Sequence, residues 1–310
     1  MEYGDKHILV LGAGASGIGA SWVLAQVGAH VVLNDYKPVT LPADEEKRLV
    51  SAGVKIITGR QDESLLDGVD RIVISPGISL DIPIVKAAQA RGIDVVSEVE
   101  VAYELSKSPI VAVTGTNGKT TTTTLLTKVL EGTGKPVRVG GNIGDSLSEV
   151  AYSMPADGFL VAELSSYQLE TIKHFRPIGA IMLNITADHL ARHKTMENYI
   201  AAKERIFENQ LSTDFMVLNI DDPIVADMEH RVLSHILKIS QHQVVPNGAY
   251  YDKGQCYVTK DGIATTVIGS DDIHIPGSHN IENILTVIAL TYVLGVPAET
   301  IHRIISEFHG

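Results

Sequence analysis

The chain has 310 residues, of which 45 % are hydrophobic and 20 % are charged, so its composition is that of a globular protein with room for two domains. The formal net charge of −12 argues against a nucleic-acid partner, because acidic surfaces repel polyphosphate backbones. The single cysteine, Cys256, cannot form an internal disulfide, and no signal peptide or membrane-length apolar run is seen. We therefore expect a cytoplasmic protein that acts away from membranes.

Short β-branched runs alternate with helix-length segments in the first hundred residues. Strands are predicted at residues 7–11, 31–34, 55–58, 71–74 and 94–96, and helices at residues 18–27, 84–91 and 98–105. Such alternation is typical of a parallel sheet covered by helices on both faces. The prediction for residues 1–107 is an α/β domain with a Rossmann-like parallel sheet.

A second series of the same kind begins near Pro109. Strands are predicted at residues 110–113, 159–162, 180–183, 215–218 and 236–239, and helices at residues 120–130, 280–294 and 298–308. Between residues 248 and 275, tyrosines and β-branched residues broken by glycines predict antiparallel hairpins. Residues 108–310 are therefore predicted to form a P-loop α/β domain with a small antiparallel β side, joined to the first domain by a hinge at residues 106–109.

A glycine-rich turn, GAGASG at residues 12–17, follows the first strand and opens a helix. Glycines let backbone N–H groups approach a phosphate, and the helix N-terminus adds partial positive charge. Asp35 ends the next strand, near the spacing of about 20 residues at which dinucleotide-binding folds place a ribose ligand. Read alone, this pattern predicts an NAD-dependent dehydrogenase or a dinucleotide-sensing module, or else a turn that only packs a helix on the sheet. A second turn, ending at Gly77, is expected to face the same crevice.

The strongest signal in the sequence is a second phosphate loop. The strand at residues 110–113 leads into TGTNGKTT at residues 114–121, and a helix follows. Backbone N–H groups of such a loop surround phosphates, Lys119 can neutralise them, and the Thr120 hydroxyl can reach Mg²⁺. Val113 stands where the strict spacing requires glycine, so the loop is a variant, and a plain helix cap with an exposed lysine is the alternative. Two phosphate loops imply two phosphorylated ligands and argue against a dehydrogenase.

Four segments of the chain resemble motifs of one enzyme family. GTNGKT at residues 115–120 is similar to the ATP loop of the Mur ligases and of folylpolyglutamate synthase. ELSSYQLE at residues 163–170, NITADHL at 184–190 and GSHNIEN at 277–283 resemble later Mur ligase motifs, in the family's order and most like its D-glutamate-adding member. The resemblance covers essentially the whole chain and ends where the family's third, amino-acid-binding domain is expected to begin.

The resemblance implies an ATP-dependent amide ligase of peptidoglycan precursor synthesis. Residues 1–107 would bind UDP-N-acetylmuramoyl-L-alanine, and residues 108–310 would bind ATP and Mg²⁺ and phosphorylate the substrate carboxylate. D-glutamate would then attack the acyl phosphate. Without the third domain, a monomer of low activity is expected. Another Mur ligase or a folylpolyglutamate-type ligase is the alternative within the class.

The resemblance also assigns roles to individual residues. The catalytic set that it implies is Lys119, Glu163, His189 and Lys203. The metal set is Thr120, Glu163, His189 and, if carbamylated, Lys203. The ATP-binding set is Gly115, Thr116, Asn117, Gly118, Lys119, Thr120, Thr121, Asn280 and Asn283. The set for the UDP substrate is Gly14, Ala15, Ser16, Asp35, Gly77, Asn142 and Ser165.

Without the resemblance, the same residues have ordinary structural interpretations. Glu163 would be a salt-bridge partner, Lys203 an exposed helix lysine, and the two asparagines caps of the helix that follows them. His189 and His193 are spaced as in a zinc-binding helix, but Leu190 stands where that motif needs glutamate. A zinc protease site is therefore not expected, and His193 is expected at the surface.

Overall fold

The computed structural model describes residues 3–310, which divide into two compact units. The first unit contains the described residues up to Lys107 together with two later segments, residues 144–153 and 167–175. The second unit contains residues 108–143, 154–166 and 176–310. The assignment of one ligand to residues 1–107 and another to residues 108–310 stays a prediction. Over the described residues, no helix is both long and apolar enough to cross a membrane.

The first unit is built on a parallel sheet of five strands. These are β1 (His7–Leu11), β2 (His30–Asp35), β3 (Lys55–Thr58), β4 (Arg71–Ile74) and β5 (Asp94–Ser97). They lie in the order β3-β2-β1-β4-β5, and every neighbouring pair is parallel. The predicted parallel α/β sheet is confirmed. Its strand order switches direction between β1 and β4, which is where open α/β sheets bind ligands.

Helices cover both faces of this first sheet. They are α1 (Ala15–Gln26), α2 (Ala43–Ser51), α3 (Pro83–Ala90) and α4 (Glu98–Leu105), joined later in the chain by α6 (Leu147–Ser153). The central strand shows why both faces need cover. Ile8 and Val10 belong to one buried apolar cluster, and Leu9 and Leu11 belong to another, since successive side chains point to opposite faces.

Two buried glutamates on α4 hold the later segments of the first unit. Glu98 accepts hydrogen bonds from the Ser146 hydroxyl (2.9 Å) and the Ser148 backbone N–H (2.5 Å) at the start of α6. Glu100, which is fully buried, accepts three backbone N–H bonds of 2.7–3.1 Å from residues 173–175. Burial raises the pKa of Glu98. The sequence analysis assigned both segments to the second domain, because their anchors are not visible in local patterns.

The second unit contains a mixed sheet of nine strands in the order β14-β13-β12-β11-β10-β9-β6-β8-β7. They are β6 (Ile110–Thr114), β7 (Val137–Gly141), β8 (Phe159–Glu163), β9 (Gly179–Met182), β10 (Phe215–Asn219), β11 (His235–Ser240), β12 (Gly248–Asp252), β13 (Gln255–Lys260) and β14 (Ile263–Gly269). Strands β6 to β12 are parallel to one another, and β12 to β14 form antiparallel hairpins. The predicted antiparallel side is confirmed, whereas β7 was not predicted.

Helices of the second unit contribute many of the side chains of its apolar core. They are α5 (Lys119–Glu131), α8 (Leu190–His193), α9 (Met196–Glu204), α10 (Pro223–Asp227), α11 (Ser278–Val293) and α12 (Ala298–Ser306), and the short α7 (Ser166–Leu169) lies where the chain passes from the second unit to the first. Leu125 and Val129 of α5 pack with Ile284 and Ile288 of α11 in one buried cluster that includes Val113 of β6. This packing fixes the helix that follows the second phosphate loop.

Replacing Glu100 with alanine should lower the free energy of unfolding by about 3 kcal/mol, because three buried N–H groups lose their acceptor. Urea denaturation followed by circular dichroism would measure the change. Glu131→Ala, at an exposed position at the end of α5, is the matched control and should change stability by less than about 0.5 kcal/mol. Equal midpoints for the two variants would contradict the anchoring role of Glu100.

Candidate functional site

The loop between β6 and α5 has the geometry of an anion-binding loop. Gly115 and Gly118 have φ values of +147° and +84°. A Cβ on Gly115 would lie 2.8 Å from the Leu183 Cβ, and a Cβ on Gly118 would lie 2.5 Å from the Asn283 Oδ1, so both positions require glycine. Within the described residues, no side chain caps the start of α5. Its first N–H groups are therefore available to an anion.

Lys119 folds back over this loop. Its Nζ donates hydrogen bonds to the carbonyl oxygens of Gly115 (3.1 Å) and Thr116 (2.8 Å). Burial lowers the pKa of Lys119, and the carboxylates of Glu163 and Asp188 oppose that shift. An ammonium group is thus held beside the helix N-terminus, where positive charge complements a phosphate. The Thr120 side chain, in the first turn of α5, is exposed to solvent.

Glu163 ends β8, between β6 and β7, and its side chain is completely buried. Its Oε1 accepts a hydrogen bond from the Asn142 Nδ2 (2.8 Å), and its backbone oxygen accepts one from the Asn142 N–H (2.8 Å). Among the described residues, Glu163 Oε2 has no hydrogen-bond partner although it is buried. A buried carboxylate oxygen without a donor calls for a cation. The salt-bridge interpretation of Glu163 is not observed.

The unpartnered Oε2 of Glu163 fits Mg²⁺ better than a protein-caged metal. Over residues 3–310, no group of three or more His, Cys, Asp or Glu side chains is placed to hold a metal ion. A metal at Glu163 would thus draw further ligands from hydroxyl, phosphate or water oxygens, which is the coordination that Mg²⁺ prefers. The predicted metal set of Thr120, Glu163, His189 and Lys203 remains a prediction.

Lys203 is buried against the same loop. Its Nζ donates hydrogen bonds to the Gly115 oxygen (2.7 Å) and the Thr114 Oγ1 (3.4 Å), and lies 5.0 Å from the ring centroid of Tyr199. Burial, with the nearby Lys119 ammonium, lowers the pKa of Lys203 to about 7. The side chain is only 2 % exposed, so the interpretation as an exposed helix lysine is wrong. The polar sequence of α9 does not indicate this burial, because it results from the packing of α9 on the loop.

The two histidines near α8 differ in environment. His189 has a left-handed backbone (φ +53°), is exposed, and its Nε2 lies 3.3 Å from the Asp188 Oδ2. His193 is buried, with its Nε2 2.9 Å from the Ser166 Oγ and its ring against Tyr199. The expectation that His193 lies at the surface is therefore wrong. Tertiary packing of α9 buries its ring.

The predicted adenine residues lie at the start of α11. Asn280 Nδ2 donates to the Pro276 oxygen (2.7 Å), and Asn283 Nδ2 donates to the Asn280 Oδ1 (3.0 Å). A cleft of about 390 Å³ opens nearby; residues that line it include Asn184, Thr186, Asn219, Asp221, Asp222 and Glu282. Glu282, rather than either predicted asparagine, contributes to the cleft from α11, so the adenine role of the asparagines remains a prediction.

In the first unit, the glycine turn is held by its neighbours. Gly12 has a φ of +101°, and a Cβ on Gly17 would lie 1.8 Å from the Gly12 oxygen. The Ser75 hydroxyl donates to the Gly12 oxygen (3.3 Å), and Asp35 Oδ2 accepts the Ala13 N–H (3.0 Å). The turns after β1, β2 and β4 thus meet at the carboxyl ends of the strands. Asp35 supports the turn, and its ribose role remains a prediction.

The structure distributes the predicted UDP-substrate residues over both units. Gly14, Ala15 and Gly77 are exposed, and Ser16 and Asp35 are half-buried, at the carboxyl ends of β1, β2 and β4. Within the described residues, no side chain caps α1. This end of the first sheet therefore presents glycine backbone and a helix N-terminus, which suit a diphosphate. Asn142 and Ser165 belong to the second unit.

Several residues that shape the loop were missed by the sequence analysis. Asn184 binds the backbone of Asn117, and the Tyr199 hydroxyl lies 3.1 Å from the Thr116 Oγ1. Asp188 is close enough to affect the pKa of both lysines at the loop. The signal that could have identified Asn184 and Asp188 is their place in the NITADHL segment, directly after a buried strand.

In CO₂-free buffer, the Lys203 amine should titrate near pH 7, whereas solvent-exposed lysines titrate near pH 10.4. Because the folded protein binds fewer protons than the unfolded chain between these values, this group makes the free energy of unfolding rise with pH across that interval. NMR of ¹³Cε-labelled lysine would follow the titration, with Lys203→Met identifying the resonance. A resonance for Lys203 that titrates with the exposed lysines would contradict the burial described.

Comparison with known proteins shows which family has this sequence pattern. A family model described as Mur ligase middle domain matches residues 113–291, and one described as Mur ligase MurD-like, N-terminal domain matches residues 6–97. A UDP-N-acetylmuramoylalanine–D-glutamate ligase of Thermoanaerobacter pseudethanolicus is 42 % identical over 310 residues, which cover 100 % of this chain and 68 % of the relative. The enzyme of the same name from Halalkalibacterium halodurans is 41 % identical over 309 residues, with coverage of 100 % and 68 %.

Solved structures share the fold at low identity. A UDP-N-acetylmuramate:L-alanyl-γ-D-glutamyl-meso-diaminopimelate ligase from Neisseria meningitides superposes with a TM-score of 0.68 at 21 % identity, and the match covers 99 % of both chains. The MurF ligase of Thermotoga maritima in complex with ADP gives a TM-score of 0.54 at 17 % identity, covering 98 % of this chain and 64 % of that one. These likenesses confirm the predicted fold class.

Proposed function

The chain belongs to the Mur ligase family, and from that membership we propose that it is the ATP-dependent ligase that adds D-glutamate to UDP-N-acetylmuramoyl-L-alanine in peptidoglycan precursor synthesis. The identity of 42 % along the whole chain to relatives with this activity in their name supports the choice of substrate. The observation that carries the chemistry is the buried, half-partnered Glu163 at the strand end next to the Gly115–Lys119 loop.

The proposed reaction has two steps. The substrate carboxylate is a poor electrophile, so its oxygen first attacks the γ-phosphorus of ATP; an O–P bond forms, the β–γ bridging bond breaks, and ADP leaves. The amine of D-glutamate then attacks the carbonyl carbon of the acyl phosphate. A C–N bond forms, inorganic phosphate leaves, and the nitrogen loses a proton. Each turnover therefore converts one ATP into ADP and phosphate.

The geometry of the loop supports triphosphate binding by this chain's own groups. Lys119 lies at the N-terminus of α5. Gly115 and Gly118, which have positive φ, bring the loop backbone close to its neighbours. Such a site offers N–H donors and an ammonium group to phosphate oxygens. The cleft beside Asn184 and Glu282 has room for a nucleoside. We assign Gly115 to Thr121, Asn280 and Asn283 to ATP.

Mg²⁺ is the proposed metal, and it would neutralise charge on the phosphate oxygens. Glu163 would hold it through the Oε2 that lacks a partner, aided by Thr120 and His189. Lys203 fits the role of a carbamylated ligand, because a neutral amine can form a C–N bond to CO₂ and lose a proton. The carbamate would replace the repulsion between Lys203 and Lys119 with attraction.

The proposal also includes the site for UDP-N-acetylmuramoyl-L-alanine and the cellular location of the enzyme. The exposed glycine turn of the first unit would bind the UDP diphosphate through residues 14–16, with Asp35 and Gly77 beside it. Asn142 and Ser165 would contact the sugar side. We propose that the enzyme is cytoplasmic and monomeric.

The direct test measures phosphate release with purified chain, Mg–ATP, UDP-N-acetylmuramoyl-L-alanine and D-glutamate. We expect release to need both substrates, and calorimetry to show magnesium-dependent ATP binding even if turnover is low. Binding of folate in place of the UDP substrate would favour the folylpolyglutamate alternative, and enhanced NADH fluorescence on mixing would favour a dinucleotide module. Absence of magnesium-dependent ATP affinity would sink the proposal.

Lys119→Ala should weaken Mg–ATP binding by about 100-fold, because a half-buried ammonium beside the phosphates contributes roughly 3 kcal/mol. Isothermal calorimetry gives the affinity. Lys128→Ala, on the same helix but in its last turn, is the matched control and should bind ATP like the unchanged chain. Similar affinities for the Lys119 variant and the control would remove the loop from the ATP site.

Glu163→Gln keeps the size of the side chain and its contact with Asn142 but removes the charge that a metal needs. We expect turnover to fall about 100-fold or more, with a weaker response to Mg²⁺, because charge stabilisation at a reacting phosphate is worth several kcal/mol. Titrating Mg²⁺ against phosphate release would measure it, with Glu131→Gln as the control. An unaltered Mg²⁺ response would exclude Glu163 as a ligand.

A further inference from the structure

We propose that Asn184 is a positioning residue that gives the ATP loop its fixed shape by acting as an extra strand partner for it. The inference deepens the proposed function and rests on it for the identity of the ligand. The contacts themselves are independent of that function. They lie entirely within the second unit.

Asn184 follows β9 by two residues and forms three hydrogen bonds with the loop. Its backbone oxygen accepts the Thr116 N–H (2.9 Å), its Oδ1 accepts the Asn117 N–H (2.8 Å), and its Nδ2 donates to the Asn117 oxygen (3.1 Å). One side-chain amide therefore satisfies both backbone groups of one residue. A neighbouring strand does the same with its main chain.

These bonds continue the parallel pairing of β6 and β9. That pairing ends in register at Thr114 and Met182, and the Leu183 N–H then donates to the Thr114 oxygen (3.1 Å). The bond from Thr116 to the Asn184 oxygen comes next along the same edge. The Asn184 side chain carries the ladder one residue further, where the backbones themselves no longer pair.

The variant loop needs such a partner. Only Thr116 and Asn117 stand between the two glycines, and glycines at both ends of a dipeptide leave it free to rotate. In addition, Thr116 Oγ1 accepts the Thr186 N–H (3.0 Å). The dipeptide is thus fixed to the segment after β9 on both its backbone and its side chain.

The segment that carries Asn184 is itself fixed from behind. Asp222 Oδ2 accepts the Ile185 N–H (2.8 Å), while its Oδ1 accepts the N–H groups of Ile224 (2.9 Å) and Val225 (3.2 Å) at the start of α10. The residue next to Asn184 is therefore tied to a helix cap. Asn184 acts on the loop from a rigid support.

This arrangement assigns the phosphate donors. The N–H groups of Thr116 and Asn117 are used by Asn184, so they do not point at a ligand. The first bond of α5 runs from the Thr122 N–H to the Gly118 oxygen (3.0 Å), so the N–H groups before it, from Lys119 to Thr121, remain for the phosphates. Asn184 thus acts on the phosphate site through the backbone of the loop, which makes it a positioning residue.

The test compares Asn184→Ala, Asn184→Asp and a control, Asn247→Ala. Asn247 makes a similar side-chain contact away from the loop, where its Oδ1 accepts the Asp261 N–H (2.8 Å). The first readout is amide hydrogen exchange at Asn117 by NMR. We expect Asn184→Ala to speed it by about tenfold, because the Asn117 N–H loses its acceptor and the Asn117 oxygen loses its donor. Asn184→Asp, which keeps an acceptor, should speed it less, and Asn247→Ala should leave it unchanged.

The second readout is function. We expect the KM for Mg–ATP to rise about tenfold in Asn184→Ala while kcat and the affinity for the UDP substrate change less than about twofold, a split that general destabilisation does not produce. Unchanged hydrogen exchange at Asn117 in Asn184→Ala would overturn the inference, whatever the KM for Mg–ATP is. Faster exchange with unchanged ATP affinity would overturn the positioning role. If the unaltered chain does not bind Mg–ATP, the proposed function fails, and the exchange result still decides whether Asn184 holds the loop.

Discussion

The close approach of the backbone at Gly115 and Gly118 to Leu183 and Asn283 is the constraint on which the second unit depends. Neither contact leaves room for a Cβ, and both glycines adopt φ values that other residues avoid. Strand β9 and helix α11 must therefore sit where they do for the loop to exist. The packing of α5 and α11 in one apolar cluster maintains that spacing. The backbone shape of the loop therefore depends on residues far along the sequence, Leu183 and Asn283.

Charge at the loop is balanced among very few groups. The Gly115 oxygen accepts hydrogen bonds from both Lys119 and Lys203, and two ammonium groups on one carbonyl repel each other. Glu163 and Asp188 supply nearby negative charge that favours the charged form of Lys119, whereas burial and the Lys119 ammonium lower the pKa of Lys203. The overall charge of −12 has little bearing on the proposed phosphate site, because a helix N-terminus and one or two lysines would attract phosphate locally.

The sequence predicted most of the strands well, but it missed several helices, among them α2, α6 and α10, and it predicted the side-chain environments poorly. Strands such as β1 and β4 were predicted at their observed limits, because buried parallel strands consist of nearly continuous apolar residues. Strand β7 was missed, since Val137–Gly141 contains an arginine and two glycines at the edge of the sheet. The burial of Lys203 and His193 could not be predicted, because both lie on short polar helices that are covered by tertiary packing. The two glycine-rich turns could be located from sequence because their backbone conformation and close contacts require glycine.

The two glutamates of α4 have a consequence for the order in which the chain can become structured. The first unit includes residues 144–153 and 167–175, and these segments supply the hydrogen-bond donors of Glu98 and Glu100 that are seen among residues 3–310. During synthesis from the N-terminus, the five-stranded sheet can be complete by Ser97, yet both buried carboxylates on the next helix lack donors until about eighty further residues have left the ribosome. Water would hydrate both carboxylates until then, and the first unit reaches its complete packing only after segments encoded between parts of the second unit have been made.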